Sequence, residues 1–228
     1  SRELDFGPVR NASVAVYDID NDGRDEIFVG TSKALDDDAN EIRPAGLIVL
    51  EDDGSVKWTQ TFAAFDGPDP VTGVTYNTTS VTTAPVFSDV NGDGSIDIVV
   101  GVGADNRFEF QSAGQPGDLG GVYALDADGN ILWFHQNIDS FGSPELNDSG
   151  PDGRPDGTYG TPRVFDIDAD GQREVIFTAW DHNLYVLDGR TGQVEFTNDL
   201  HDTAGASPEV VDLDGDGLFE LVVPADIT

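Results

Sequence analysis

Four stretches of this chain space their acidic side chains as a hard cation requires. They are Asp18, Asp20, Asp22 and Glu26; Asp89, Asn91, Asp93 and Asp97; Asp166, Asp168, Asp170 and Glu174; and Asp212, Asp214, Asp216 and Glu220. Oxygens at positions 1, 3 and 5 of a tight loop converge on one point, and a glycine at position 6 permits the turn. The backbone carbonyl at position 7 (Arg24, Ser95, Gln172, Leu218) can face inward, and the acid at position 9 closes the cage. Calcium, which takes about six to eight oxygens, suits such a loop. About four ions are expected. Magnesium keeps its waters and prefers fewer protein carboxylates. The chain has no cysteine and its three histidines are not grouped, so zinc is not indicated. An EF-hand would need Glu at position 12, where Val29, Val100, Phe177 and Val223 stand in mid-strand. Asn91 leaves the second loop one charge poorer, which weakens that site.

The elements around these loops repeat. Each loop joins a short apolar strand to a second one, and the second runs (27–29, 98–100, 175–177, 221–223) read as strands buried on both faces. Pro85, Pro162 and Pro208 sit at the first strand's start, where proline removes no ladder bond. After the first three copies comes a hairpin, over residues 46–58, 121–133 and 183–196, ending on Trp58, Trp133 or Phe196. Its Asp/Gly-rich turns supply the positive-φ residues that a tight reversal needs. One repeat is therefore four strands, A to D, in as few as 46 residues from Asp166 to Asp212. That is the pattern of a β-propeller blade. The fold class expected is all-β: a propeller of four-stranded antiparallel blades, three complete and a fourth partial. Repeats fall at about 13–65, 82–138, 159–201 and 205–228 of one propeller domain or segment, and residues 1–12 can supply a closing outer strand.

On these loops the chain resembles the FG-GAP repeats of integrin α-subunit propellers and the related VCBS repeats of bacterial and archaeal surface proteins. Its hairpins resemble those of quinoprotein-like propellers, with Trp58, Trp133 and Phe196 as docking aromatics. The resemblance implies calcium at positions 1, 3, 5 and 9 of each loop, and extracellular adhesion or recognition more than catalysis.

Charge narrows the partners. Asp and Glu total 44 against 11 Lys and Arg, a net −33, which excludes nucleic acid as an expected partner. Only Lys33 and Lys57 are lysines. The loops hold 16 of the 44 acids, so metal ligation leaves most of the acidity unexplained, and a salt-adapted surface is the preferred account. No apolar run is long enough to span a bilayer. Beginning at Ser1 without a leader, the chain reads as mature or trimmed.

A four-stranded meander puts A–B and C–D turns on one face and B–C and D–A connections on the other. The long insertions (31–45, 65–82, 102–120, 139–158) are all of the second kind, so they rise opposite the acidic loops, where long loops on a rigid scaffold usually bind. A protein or glycan ligand, or self-assembly, is expected there. Phe65, Tyr76, Arg107, Phe108, Phe110, Phe141 and Tyr159 are candidate contacts or anchors of these loops to the scaffold. Residues 148–156 form a degenerate fifth loop pattern. Asn11, Asn77 and Asn147 head glycosylation sequons. The leading expectation is a non-enzymatic extracellular or cell-surface protein. The alternative is an enzyme on a propeller, a quinoprotein-like dehydrogenase or a polysaccharide-cleaving enzyme, with His135, His182 and His201 as candidate bases.

Overall fold

Short apolar runs between Asp/Gly turns fold as strands here because each can bury alternate side chains on either face of a sheet. The computed structural model describes residues 4–9, 14–38, 40–64, 66–69, 73–103, 118–139, 155–201 and 204–225. The first sheet, ordered β1-β2-β5-β6, uses β1 (Ala15–Tyr17), β2 (Glu26–Thr31), β5 (Gly46–Leu50) and β6 (Val56–Gln60). Between β2 and β5 a small hairpin, β3 (Ala34–Leu35) with β4 (Glu41–Arg43), stands apart from the sheet. The second sheet is β7 (Val86–Ser88), β8 (Asp97–Val102), β9 (Gly121–Leu125) and β10 (Ile131–Gln136). The third is β11 (Arg163–Phe165), β12 (Glu174–Thr178), β13 (Asn183–Asp188) and β14 (Val194–Asp199). A two-stranded hairpin, β15 (Glu209–Val211) and β16 (Glu220–Val222), follows. Every pairing is antiparallel, and strands A to D of the sequence pattern are the first to fourth strands of each sheet.

The sheets pack face to face in chain order. On β8, Ile98, Val100 and Val102 join a core with Phe28, Leu47 and Val49 of the first sheet. Val99 points the other way, into a second core with Val175, Phe177 and Leu187 of the third. The period of two thus divides one strand between two cores. Ile176, Leu184 and Val186 continue the pattern against Val210 and Leu221 of the last hairpin. B strands are buried throughout only in the two sheets flanked on both sides. In β2, Ile27 and Val29 are half-buried, and in β16 Val222 is exposed, since those sheets have a neighbour on one side only among the described residues. Residues 4–9 form no strand. They pass beside the start of β5, where Gly7 N–H donates to Pro44 O at 2.9 Å and Pro8 O accepts from Ser32 N–H at 2.9 Å.

Tryptophans latch each sheet to the next. Trp58 Nε1 donates to Ala127 O at 3.1 Å, and Trp133 Nε1 donates to Gly189 O at 2.7 Å. Each ring lies against the glycine of the next sheet's C–D turn: a Cβ on Gly129 would meet Trp58 at 2.9 Å, and one on Gly192 would meet Trp133 at 2.7 Å. Phe196, the third docking aromatic expected, is instead 52% exposed; among the described residues the last hairpin offers no C–D turn to receive it. Gly54 occupies the same turn position as Gly129 (φ +80° against +86°) but faces open space. Both glycine-to-alanine changes strain the backbone, while only Gly129→Ala also drives a methyl into a ring. Urea unfolding is expected to show Gly129→Ala less stable than Gly54→Ala by about 1–3 kcal/mol, the usual range for overpacking.

Candidate metal loops

The four A–B turns have one local design. Positions 4 and 6 are left-handed in each: Asn21 and Gly23, Gly92 and Gly94, Ala169 and Gly171, Gly215 and Gly217. The position-1 carboxylate gathers the far side of its loop, accepting from the position-6 amide in every copy: Asp18 from Gly23 N at 2.9 Å, and Asp89, Asp166 and Asp212 from Gly94, Gly171 and Gly217 N at 3.0 Å. Position 3 accepts from the amide of position 5: Asp20 from Asp22, Asn91 from Asp93, Asp168 from Asp170, Asp214 from Asp216. Position 5 accepts in turn from the position-7 amide of Arg24, Ser95, Gln172 or Leu218. At position 9, Glu26, Asp97, Glu174 and Glu220 each accept from the position-2 amide, of Ile19, Val90, Ile167 and Leu213, at 2.7–3.0 Å. These bonds consume part of each carboxylate's capacity and fix the remaining oxygens.

What they fix differs among the loops. Oxygens of Asp166, Asp168 and Glu174 lie within 4.8 Å of one another, as do those of Asp212, Asp214 and Glu220. In the first loop the group is Asp18, Asp20 and Asp22, while Glu26 faces Lys57. In the second loop Asn91 donates from Nδ2 to Asp93 at 3.0 Å, and Asp97 is 1% exposed with Oδ1 lacking any hydrogen-bond partner. Burial, with the nearby charges of Asp93 and Asp89 adding to it, raises the Asp97 carboxyl to about 6 against opposing amide bonds. Burial likewise lifts Glu174 to about 6, helped by Asp168, Glu195 and Asp166. A buried anion with an unpaired oxygen and more anions around it is a site that a cation would relieve. The carboxylate groupings of the third and fourth loops, and the buried, part-unpaired Asp97 of the second, thus fit a hard, oxygen-seeking cation.

The raised Asp97 has a pH consequence when metal is withheld. A carboxyl whose folded pKa exceeds its unfolded value destabilises the fold above the folded pKa, and the penalty vanishes below the unfolded one. In chelator, Asp97→Asn is expected to be more stable than wild type at neutral pH. The gap should close as pH falls through about 6 towards 3.8. Paired urea titrations across that range measure it; a gap independent of pH would contradict the assignment.

Three cations border the loops that motif reading alone does not place. Lys57 Nζ lies 2.7 Å from Asp20, 3.2 Å from Glu51 and 3.4 Å from Glu26. Its bond to Asp20 is the main reason that its pKa rises and that of Asp20 falls. Arg190 Nε donates to Asn91 O at 3.2 Å, and Arg173 reaches Ser88 Oγ. Both arginines line a cleft of about 220 Å³ between the second and third loops.

On the other side of the sheets the described parts of three insertions meet. Lys33, wholly buried, donates to Asp118 Oδ1 and to Thr78 O, each at 2.7 Å, with its ammonium 4.9 Å from the Tyr76 ring centroid. Glu41 accepts from Asn77 N and Thr78 Oγ1, each at 2.6 Å. Tyr76 is thus an anchor, 4% exposed, and Tyr159 packs on Trp180 at 5.1 Å. Asn77 is exposed. Phe65, Arg107, Phe108, Phe110, Phe141, the sequons at Asn11 and Asn147, and nearly all of 148–156 lie outside the described residues. His135 packs edge-on against Phe177 and Tyr185, and burial lowers its pKa. His182 and His201 occupy turns with φ of 71° and 63°. Among the described residues no helix is long and apolar enough to cross a membrane.

Residues 166–223 match the FG-GAP-like repeat family. No curated protein matches the chain significantly in sequence. Among solved structures, the quinohemoprotein alcohol dehydrogenase from Comamonas testosteroni aligns at 14% identity and a TM-score of 0.50, over 82% of this chain and 28% of that one. The V. cholerae biofilm matrix protein Bap1 aligns at 16% identity and a TM-score of 0.50, over 93% of this chain and 53% of that one. The chain therefore spans well under two-thirds of either. Identities this low speak to the fold alone. Four-stranded antiparallel sheets in series, the repeat match at residues 166–223 and these two likenesses together place the chain among the repeat β-propeller folds.

Proposed function

We propose that this chain is a non-enzymatic, calcium-binding propeller segment of an extracellular or cell-surface protein, serving adhesion, recognition or structural assembly. Calcium holds the A–B turns of the second, third and fourth loops, and a protein or glycan ligand, or another copy of the chain, engages the insertion side. One observation carries the calcium reading: the position-9 carboxylates Asp97 and Glu174 are buried at the root of their loops among further carboxylates, and at Asp97 one oxygen has no partner. Calcium supplies the missing charge and takes the oxygens that the loop's own amides leave over. The adhesive role rests on the insertions, of which the described parts of three meet at Lys33, Thr78 and Asp118. Bap1 is a biofilm matrix protein, and its likeness to this chain is one of fold.

Calorimetric titration of calcium into the chelator-stripped chain tests the metal. Saturable binding is expected, with Asp166→Ala and Asp212→Ala each removing one equivalent. A chain that binds no calcium at millimolar concentration would end this reading. The enzyme alternative predicts turnover in screens with quinone cofactors or acidic polysaccharides; the present reading expects none.

A further inference from the structure

The D strands share an irregularity beside the loops. In β6, Trp58 pairs with Val49 and Val56 with Leu50, which leaves Lys57 as the extra residue of a bulge. In β10 the pairs are Trp133 with Ala124 and Ile131 with Leu125, leaving Leu132. In β14, Phe196 pairs with Val186 and Val194 with Leu187, leaving Glu195. A bulge re-aims one side chain out of the ladder. At the first sheet it delivers the Lys57 ammonium onto Asp20, Glu26 and Glu51. At the third sheet it puts Glu195 within electrostatic reach of Asp168, Asp170 and Glu174. The same structural position therefore carries a cation, an apolar side chain and an anion in successive repeats.

We infer that Lys57 is the resident counter-cation of the first loop, occupying the place a metal would take between Asp20 and Glu26, and that the charge of the bulged D-strand residue sets metal uptake at the first and third loops. The inference rests on the calcium reading for the other loops. The Lys57 side chain is 19% exposed, and the Glu26 side chain that it faces is 1% exposed. An ion entering the first loop would have to take oxygens of Asp20 and Glu26 that the ammonium already holds, against its repulsion. The carboxylate groupings differ in the same sense: those of the third and fourth loops include their position-9 Glu, whereas the first gathers Asp18, Asp20 and Asp22 and leaves Glu26 to the lysine. Glu195 has the opposite effect, adding a negative charge beside the third loop.

Calcium calorimetry and native mass spectrometry on the whole chain and three variants test this. Wild type is expected to bind no ion at the first loop, so Asp18→Asn leaves its stoichiometry unchanged. Lys57→Leu is expected to gain one equivalent, and to melt lower than wild type in chelator but recover in calcium. Glu195→Lys is expected to lose one equivalent, or to bind at least tenfold more weakly at the third loop. If Asp18→Asn removes an equivalent from the wild type, or Lys57→Leu gains none while folded in calcium, the inference is overturned. If no variant and no wild type binds calcium, the calcium reading itself has failed, and the inference with it.

Discussion

Chelating calcium is expected to lower the melting temperature by about 10–30 °C at fixed ionic strength. A site held at about 100 times its Kd contributes roughly 2.7 kcal/mol. Two or three filled sites then supply about 5–8 kcal/mol, and for a chain of this size each kcal/mol moves Tm by about 2–4 °C. Ionic strength must be held because the chain carries a net charge of −33, and added salt screens that self-repulsion whatever ion is used. Magnesium at matched concentration should restore little, and calcium should restore all of it. Differential scanning calorimetry reads the shift. The calcium-free protein would pay for its position-9 acids twice, through their burial and through the acids around them. A melt indifferent to chelator would remove the structural role.

Lys33→Met is expected to destabilise the fold by about 3–5 kcal/mol, the range for breaking a buried ion pair from one side. Both side chains of the pair with Asp118 are fully buried. The methionine fills the space but withdraws the Lys33 ammonium from a buried carboxylate, which keeps the bond from Ser80 N at 3.0 Å. Thr78 O would lose the ammonium as well. The pair joins three insertions that are far apart in sequence, so the loss should be felt across the insertion side. Combining Lys33→Met with Asp118→Leu should recover much of the stability, since apolar replacement of both partners avoids an uncompensated charge. Urea unfolding of the two single variants and the double variant measures this. A single-variant loss under about 1 kcal/mol would place the pair among weakly contributing surface bridges.

The repeat was legible because its signals are local. Asp-x-Asp-x-Asp-Gly fixes a turn through bonds within nine residues, and strands A to D follow from apolar runs and Asp/Gly reversals. The docking tryptophans were legible as the aromatics closing each hairpin. Phe196 has the same local signal but stays exposed, because docking needs a C–D turn from the next sheet. Lys57 could not be placed by the motif, since a bulge depends on how two strands pair. One signal does survive in the sequence: each bulged residue directly precedes the aromatic of its D strand, as in Lys57-Trp58, Leu132-Trp133 and Glu195-Phe196. Lys33 reads as an ordinary loop cation, and its partner Asp118 lies in another insertion. The two lysines of this acidic chain are thus both counter-ions for carboxylates, one beside a loop and one in the interior. Both lysines therefore have structural work.

The most direct measurement is anomalous diffraction from crystals of the whole chain grown in millimolar calcium. Peaks are predicted between Asp166, Asp168 and Glu174, between Asp212, Asp214 and Glu220, and beside Asp97. None is predicted between Asp20 and Glu26, where Lys57 remains. Empty third and fourth loops under those conditions would contradict the account.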